Sequence, residues 1–185
     1  IEPQGAYLAG SSLWVPWFGE GLLTFRMTTR LRDGWDSVSQ GNRIARRMEG
    51  EERVTTWECP DPTEEIYLVA GPFTEYEQAA GPVTAMACLR KPDPGLAERY
   101  LTTTASYLEM YQKLIGPFPY AKFALVENFW ETGYGMPSFT LLGEKVIRFP
   151  FILHSSYPHE LLHNYWGNGV YVDYSGGNWS EGLTA

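Results

Sequence analysis

The stretch His159-Glu160-Leu161-Leu162-His163 is the most informative feature of this 185-residue sequence. On an α-helix, residues four positions apart lie one turn apart on the same face, so both imidazoles can reach one metal ion. The glutamate beside the first histidine is placed to accept a proton from metal-bound water. The stretch therefore predicts a helix that contributes two ligands to one Zn²⁺ ion, with Glu160 as a general base.

A catalytic zinc site needs a third protein ligand, and the best candidate is Glu181. It follows His163 after seventeen residues, in a stretch that indicates a loop leading into a second helix. A second interpretation stays open, because Asn178 and Glu181 also have the spacing of a capping box, in which the glutamate would bond only to backbone N–H groups. The remaining histidine, His154, precedes the motif at a spacing that does not suit a ligand.

Composition argues against several classes of partner. The net charge of −8 disfavours nucleic acid, because phosphate binding needs clustered Lys and Arg. No apolar run of about eighteen residues occurs, so we predict no transmembrane segment. A hydrophobic content of 44% is enough for the core of one domain or two small ones.

The first part of the chain, residues 1–92, is predicted to be rich in β-strands. Apolar and polar residues alternate most clearly from Leu23 to Leu31, as in a half-buried strand. Further strands are expected near residues 54–57, 66–70 and 83–89, and the Gly-Pro turns between them suit a sandwich or layered sheet.

Two prolines at positions 92 and 94 mark the predicted domain boundary, because proline interrupts a strand. Beyond it, residues 93–185 change to a helical period, with a helix predicted from Gly95 to Ile115 and a stop at Gly116. A buried strand is expected at residues 123–126. The whole chain is therefore predicted to be α+β.

Two more segments complete the expected second part. Residues 146–152, interrupted by Pro150, are predicted to be extended at a sheet edge. The metal-binding helix should begin near Ser155 and end near Gly167 or Gly169.

Taken together, these residues resemble the zinc aminopeptidases of the aminopeptidase N and leukotriene-A hydrolase type, within the gluzincins. Residues 159–168 are similar to the family's H-E-x-x-H followed by an aromatic pair and Gly-Asn, and residues 178–182 to its third-ligand segment. Residues 118–122 resemble the turn that precedes its substrate-binding edge. The interval before Glu181 is one residue shorter than is usual in the family.

The resemblance implies a fold, a substrate and a reaction. Residues 1–92 would be part of an amino-terminal β-domain, and residues 93–185 the front half of a thermolysin-like zincin domain. The substrate would be a peptide, hydrolysed by metal-activated water with Glu160 as the base. It would pair as an added strand with Gly133, Tyr134, Gly135 and Met136.

One position departs from the family in a way that affects specificity. The glutamate that holds the substrate's free amino terminus corresponds here to Pro137, which cannot pair with an amine. Glu127, Glu131 or another acid would have to take over this role. The family's oxyanion-stabilising tyrosine corresponds to a position after residue 185.

Three functions therefore stay open: an aminopeptidase-like zinc metallopeptidase, a zinc endopeptidase or other hydrolase, and a non-catalytic zinc-containing binding or structural module. The chain begins at Ile1 and ends four residues after Glu181, so we expect it to be part of a longer protein with flanking domains. The compartment is left open, with the cell envelope and secretion as the alternatives, because this chain contains no signal segment.

Overall fold

The computed structural model describes residues 1–16, 19, 21–32 and 34–185. Its elements are mostly strands with few helices, which confirms the prediction of a chain that mixes strands and helices and is β-rich at its start. Contacts divide the chain into two units, residues 1–74 and 75–185. No helix among the described residues is long and apolar enough to cross a membrane.

The described residues of the first unit form two antiparallel sheets of three strands each. The strand predicted from Leu23 to Leu31 is confirmed, and its side chains alternate between more and less exposed positions as a half-buried strand requires. In chain order the strands are β1 (Ala6–Leu8), β2 (Leu23–Leu31), β3 (Asp36–Ser39), β4 (Asn42–Glu49), β5 (Glu52–Thr63) and β6 (Leu68–Gly71). The sheets have the orders β1-β6-β3 and β2-β5-β4.

The second unit is built on one five-stranded sheet with the order β10-β11-β9-β8-β7. Its strands are β7 (Thr74–Ala80), β8 (Val83–Leu89), β9 (Lys122–Asn128), β10 (Gly133–Met136) and β11 (Phe139–Gly143). Strand β9 pairs in parallel with both β8 and β11, whereas β10 pairs antiparallel with β11 and lies at one end of the sheet.

The two units divide at an earlier residue than the predicted domain boundary at positions 92–93. Strand β8 pairs residue by residue with β9, so it belongs to the sheet of the second unit. The two prolines therefore separate a strand from a helix inside this unit. Local chain-breaking residues cannot show which distant strand β8 will join.

Helix α1 (Pro94–Leu114) confirms the helix predicted from Gly95 to Ile115. It begins where the side chain of Asp93 accepts a hydrogen bond from the Leu96 backbone N–H at 2.9 Å. Its apolar face packs on the sheet in one hydrophobic core that includes Tyr100, Leu108, Phe123 and Leu125. This core supports the helix that bears the histidines.

The extended strand predicted over residues 146–152 is wrong. Residues Val146–Arg148 and Pro150–His154 form two short 3₁₀ helices, closed by bonds such as that from the Phe149 N–H to the Val146 carbonyl. Pro150 occupies the first turn of the second helix, where its missing N–H leaves no bond unmade.

The helix of the metal-binding motif is shorter than predicted. Helix α2 (Ser156–Leu162) ends at the cap residue His163 and not near Gly167. The chain then continues as tight turns, in which the Asn164 and Tyr165 N–H groups donate hydrogen bonds to carbonyls three residues earlier. The short helix α3 (Trp179–Thr184) follows.

Candidate metal centre

The buried face of helix α2 determines where its histidines point. Tyr157 and Leu161 are both 0% exposed and pack into the core of the second unit. The Tyr157 hydroxyl also lies 2.5 Å from the Thr104 hydroxyl on α1. With these residues holding one side of the helix, His159 and His163 occupy another, partly exposed side.

His159 and His163 remain in helical register although His163 is the cap residue. The His163 backbone is still right-handed helical, and its N–H donates to the His159 carbonyl at 3.1 Å. The two rings lie 4.6 Å apart between centroids, and their Nε2 atoms are 3.1 Å apart. The predicted i, i+4 pairing of the two imidazoles is thus present in the structure.

Each imidazole uses its other nitrogen to contact a backbone carbonyl. Nδ1 of His159 lies 3.1 Å from the Thr184 carbonyl, and Nδ1 of His163 lies 3.1 Å from the Trp166 carbonyl. A carbonyl can only accept, so in each neutral imidazole Nδ1 carries the proton and Nε2 presents a lone pair. This is the tautomer that metal-ligating histidines adopt when a carbonyl orients the ring.

Glu181 reaches the same point from helix α3. Its carboxylate oxygens lie 3.5 Å from Nε2 of His159 and 3.5 Å from Nε2 of His163. The helix cap, Asn178, makes no side-chain capping bond. The structure thus places Glu181 beside both imidazoles, without the side-chain bond of a capping box.

The donor set suits a zinc ion. One ligand atom from each of His159, His163 and Glu181 lies within 4.8 Å of the other two. For a tetrahedral zinc about 2.0–2.1 Å from each nitrogen, two imidazole nitrogens should be roughly 3.3 Å apart, close to the separation found here. Two facing lone pairs repel each other unless they share a cation, which this arrangement allows.

Glu160 points its carboxylate toward strand β10 and not into the group of ligands. Its oxygens lie close to where side chains on Gly135 and Gly133 would begin. Burial raises the pKa of Glu160, the nearby Glu181 adds to that effect, and His159 opposes it. A carboxylate in this position is separate from the ligands yet adjacent to them, as a general base must be.

Strand β10 holds the four residues predicted to bind substrate, and it lies beside helix α2. Gly133 and Tyr134 are exposed, Gly135 is partly buried and Met136 is buried. Because β10 is at the end of its sheet, its outer backbone groups can accept another strand. The predicted edge therefore lies next to the candidate metal centre.

Pro137 lies in the tight turn between β10 and β11, where it is buried. Its partner in the turn, Ser138, has a φ of +68° and is 0% exposed. No carboxylate occupies this turn.

Of the two acids named as substitute amine anchors, Glu127 is buried and bonded to other residues, whereas Glu131 is exposed and accepts one backbone hydrogen bond. Glu127 is 1% exposed and accepts from Arg148 at 2.7 Å and from the Arg90 backbone N–H at 2.7 Å. Glu131 accepts from the Lys145 backbone N–H at 3.2 Å.

Sequence reasoning missed the residues that hold the turn and the imidazoles. Lys122 and Asn164 both bond to Ser138, and the carbonyls of Trp166 and Thr184 orient the rings. Asn164 offered one signal, as a polar residue directly after the second histidine and before an aromatic pair. Backbone carbonyls leave no signal in a sequence.

No protein-family model matches this chain, and no curated protein matches its sequence. Among solved structures it is similar to the M1 zinc metallopeptidase from Deinococcus radiodurans, with a TM-score of 0.64 and 16% identity over 88% of this chain and 40% of that one. A mutant form from the same organism, and a two-domain M1 zinc metallopeptidase mutant bound to L-arginine, each give a TM-score of 0.59 at 15% identity, over 80% of this chain and 35% of theirs. The chain thus spans two fifths or less of the length of these structures. It has the fold of the corresponding part of an M1 zinc metallopeptidase.

Proposed function

We propose that this chain carries the zinc ligands and the general base of a metallopeptidase that hydrolyses peptide bonds. The observation that carries the proposal is the convergence of His159, His163 and Glu181, whose ligand atoms lie within 4.8 Å of one another. The likeness in fold to M1 zinc metallopeptidases is independent support. We likewise propose that residues 93–185, together with strands β7 and β8 of the same sheet, form the front half of a thermolysin-like catalytic domain, preceded by a β-rich domain.

His159, His163 and Glu181 would hold the ion, and the Nδ1 contacts of both rings would keep Nε2 directed at it. When bound, zinc lowers the pKa of a coordinated water and polarises the substrate carbonyl. Glu160 would accept a proton from the attacking water and deliver it to the leaving nitrogen. Its partly buried carboxylate, placed beside both the ligands and strand β10, suits this transfer.

Strand β10 would orient the substrate. A peptide that adds to its outer edge would lie along Gly133, Tyr134, Gly135 and Met136, with its backbone held by hydrogen bonds. Because Gly135 has no side chain, the edge can approach Glu160 closely. A peptide bond held on this edge would therefore lie next to the proposed base.

The class of peptide separates two candidates. The resemblance and the fold support an aminopeptidase-like enzyme. A second candidate, a zinc endopeptidase, is favoured by the turn at Pro137 and by the engagement of Glu127 with Arg148 and Arg90. Position 137 has no carboxylate, and the carboxylate of Glu127 is bonded to its own partners. Neither residue therefore presents a carboxylate to a substrate amine.

The proposal is tested by zinc content together with hydrolysis of matched peptides, one with a free and one with an acetylated amino terminus. About one zinc per chain with cleavage of the free peptide supports the aminopeptidase-like enzyme. Equal cleavage of both supports the endopeptidase. Zinc without cleavage of either would leave a non-catalytic zinc-containing module, and absence of zinc would contradict the proposal.

A further inference from the structure

The turn between β10 and β11 is connected to helix α2 by one fully buried side chain. Asn164, which directly follows the second histidine, is 0% exposed. Its Oδ1 accepts from the Ser138 backbone N–H at 2.6 Å. Its Nδ2 donates to the carbonyls of Leu161 at 3.1 Å and of Glu160 at 3.3 Å. One amide therefore links the turn to the backbone of the proposed base.

The turn needs this support because its backbone is strained. Ser138 has a φ of +68°, a region that side chains other than glycine adopt at a cost. Since Ser138 is fully buried, its N–H depends on a hydrogen-bond partner within the protein. From the other side, the buried Lys122 donates to the Ser138 carbonyl at 3.1 Å and to its hydroxyl at 2.8 Å.

Strand β10 lies so close to Glu160 that a shift of tenths of an ångström would change their contact. A Cβ atom on Gly135 would meet the Glu160 carboxylate at 2.6 Å and the Glu160 carbonyl at 3.5 Å. The strand thus lies directly on the residue whose carbonyl Asn164 also bonds. A shift of the turn would move the substrate edge relative to the carboxylate.

We propose that Asn164 is a positioning residue, which sets the distance between the substrate-binding edge β10 and Glu160 by tying the Ser138 turn to the end of helix α2. This inference rests on the proposed function. Asn164 has no role in holding the metal, and it contacts no reacting atom. Its effect is expressed through the placement of β10.

The test compares Asn164→Ala and Asn164→Asp with Tyr157→Phe in the full protein. Tyr157→Phe is the matched control, because it removes a buried hydrogen bond between helix α2 and Thr104, on the side of the core and not at the Ser138 turn. Zinc content, thermal unfolding, amide hydrogen exchange over residues 133–138, and kcat and KM for a peptide substrate are measured for each variant.

In Asn164→Ala we expect unchanged zinc content, with exchange over residues 135–138 and KM for the peptide both increased by roughly tenfold, the size expected for one lost buried hydrogen bond. The value of kcat should fall as well, since a displaced β10 holds the peptide bond away from Glu160. Asn164→Asp retains an acceptor for the Ser138 N–H and should recover much of the exchange protection. Tyr157→Phe should leave the exchange of residues 135–138 and KM as they are in the natural protein.

Exchange and KM in Asn164→Ala that match those of Tyr157→Phe would overturn the proposal. Loss of zinc in Asn164→Ala would also overturn it, because the side chain would then support the ligands and not the strand. Failure of the proposed function is seen separately, in a natural protein that holds no zinc or cleaves no peptide. In that case the exchange rates still report whether Asn164 holds the turn.

Discussion

Gly135 lies directly against the carboxylate of Glu160: a Cβ atom built on this glycine would be 2.6 Å from Oε2 of Glu160. Real Cβ atoms do not approach other atoms so closely, so any side chain at position 135 must displace either the strand or the carboxylate. The same position on Gly133 has room for a Cβ atom, whose nearest neighbours would lie at ordinary contact distances of 3.7 Å and 3.8 Å. The two glycines of β10 therefore provide a matched pair of positions for substitution by alanine.

Gly135→Ala should reduce peptide hydrolysis by roughly a hundredfold or more, because misplacement of a reacting group by about 1 Å has effects of this size. Gly133→Ala should cause a much smaller loss, since its methyl group meets only ordinary contacts. Steady-state kinetics on both variants, with zinc content as a check of the site, makes the comparison. Equal losses in the two variants would show that the contact with Glu160 has no role in the reaction.

Glu160→Gln should retain zinc and lose nearly all turnover. The amide preserves the shape of the side chain but cannot accept a proton, and removal of a general base typically costs about 10²–10⁴-fold in rate. Zinc analysis and kcat for a peptide substrate are the measurements. Substantial remaining turnover would exclude Glu160 from the mechanism.

Glu181→Ala separates a ligand from a helix cap. As a ligand, Glu181 should be required for zinc retention, so that the variant loses the ion under dialysis conditions in which the natural protein keeps it. As a cap, its loss would cost only about 1 kcal/mol of stability and leave the zinc content unchanged. Asn178→Ala is the matched control at the start of the same helix, and it should keep zinc.

The ion pair between Glu127 and Arg148 should contribute to stability in the second unit. Glu127 is 1% exposed, so Arg148→Ala leaves a buried carboxylate without its cationic partner and should lower the free energy of unfolding by about 2–4 kcal/mol. In contrast, Lys113→Ala breaks an exposed pair with Glu109 and should cost less than about 0.5 kcal/mol. Urea-induced unfolding of the two variants tests this, and similar small losses in both would contradict a structural role for Glu127.

A good part of the fold could be predicted because it depends on local periodicity. Strand β2 and helix α1 were expected nearly at their observed bounds, since alternation and helical spacing are properties of neighbouring residues. The prediction of an extended strand at residues 146–152 is wrong for the same reason. A short apolar segment with a proline suits either an edge strand or a 3₁₀ helix, and the choice depends on packing.

The sequence by itself determined that His159 and His163 lie on one side of a helix with Glu160 beside them, because helical geometry converts a four-residue spacing into a shared face. Only the tertiary structure decided that Glu181 converges on both imidazoles and that β10 lies on Glu160. Those contacts join segments far apart in the chain. Their distances depend on how helices and strands pack around the core, which no local pattern encodes.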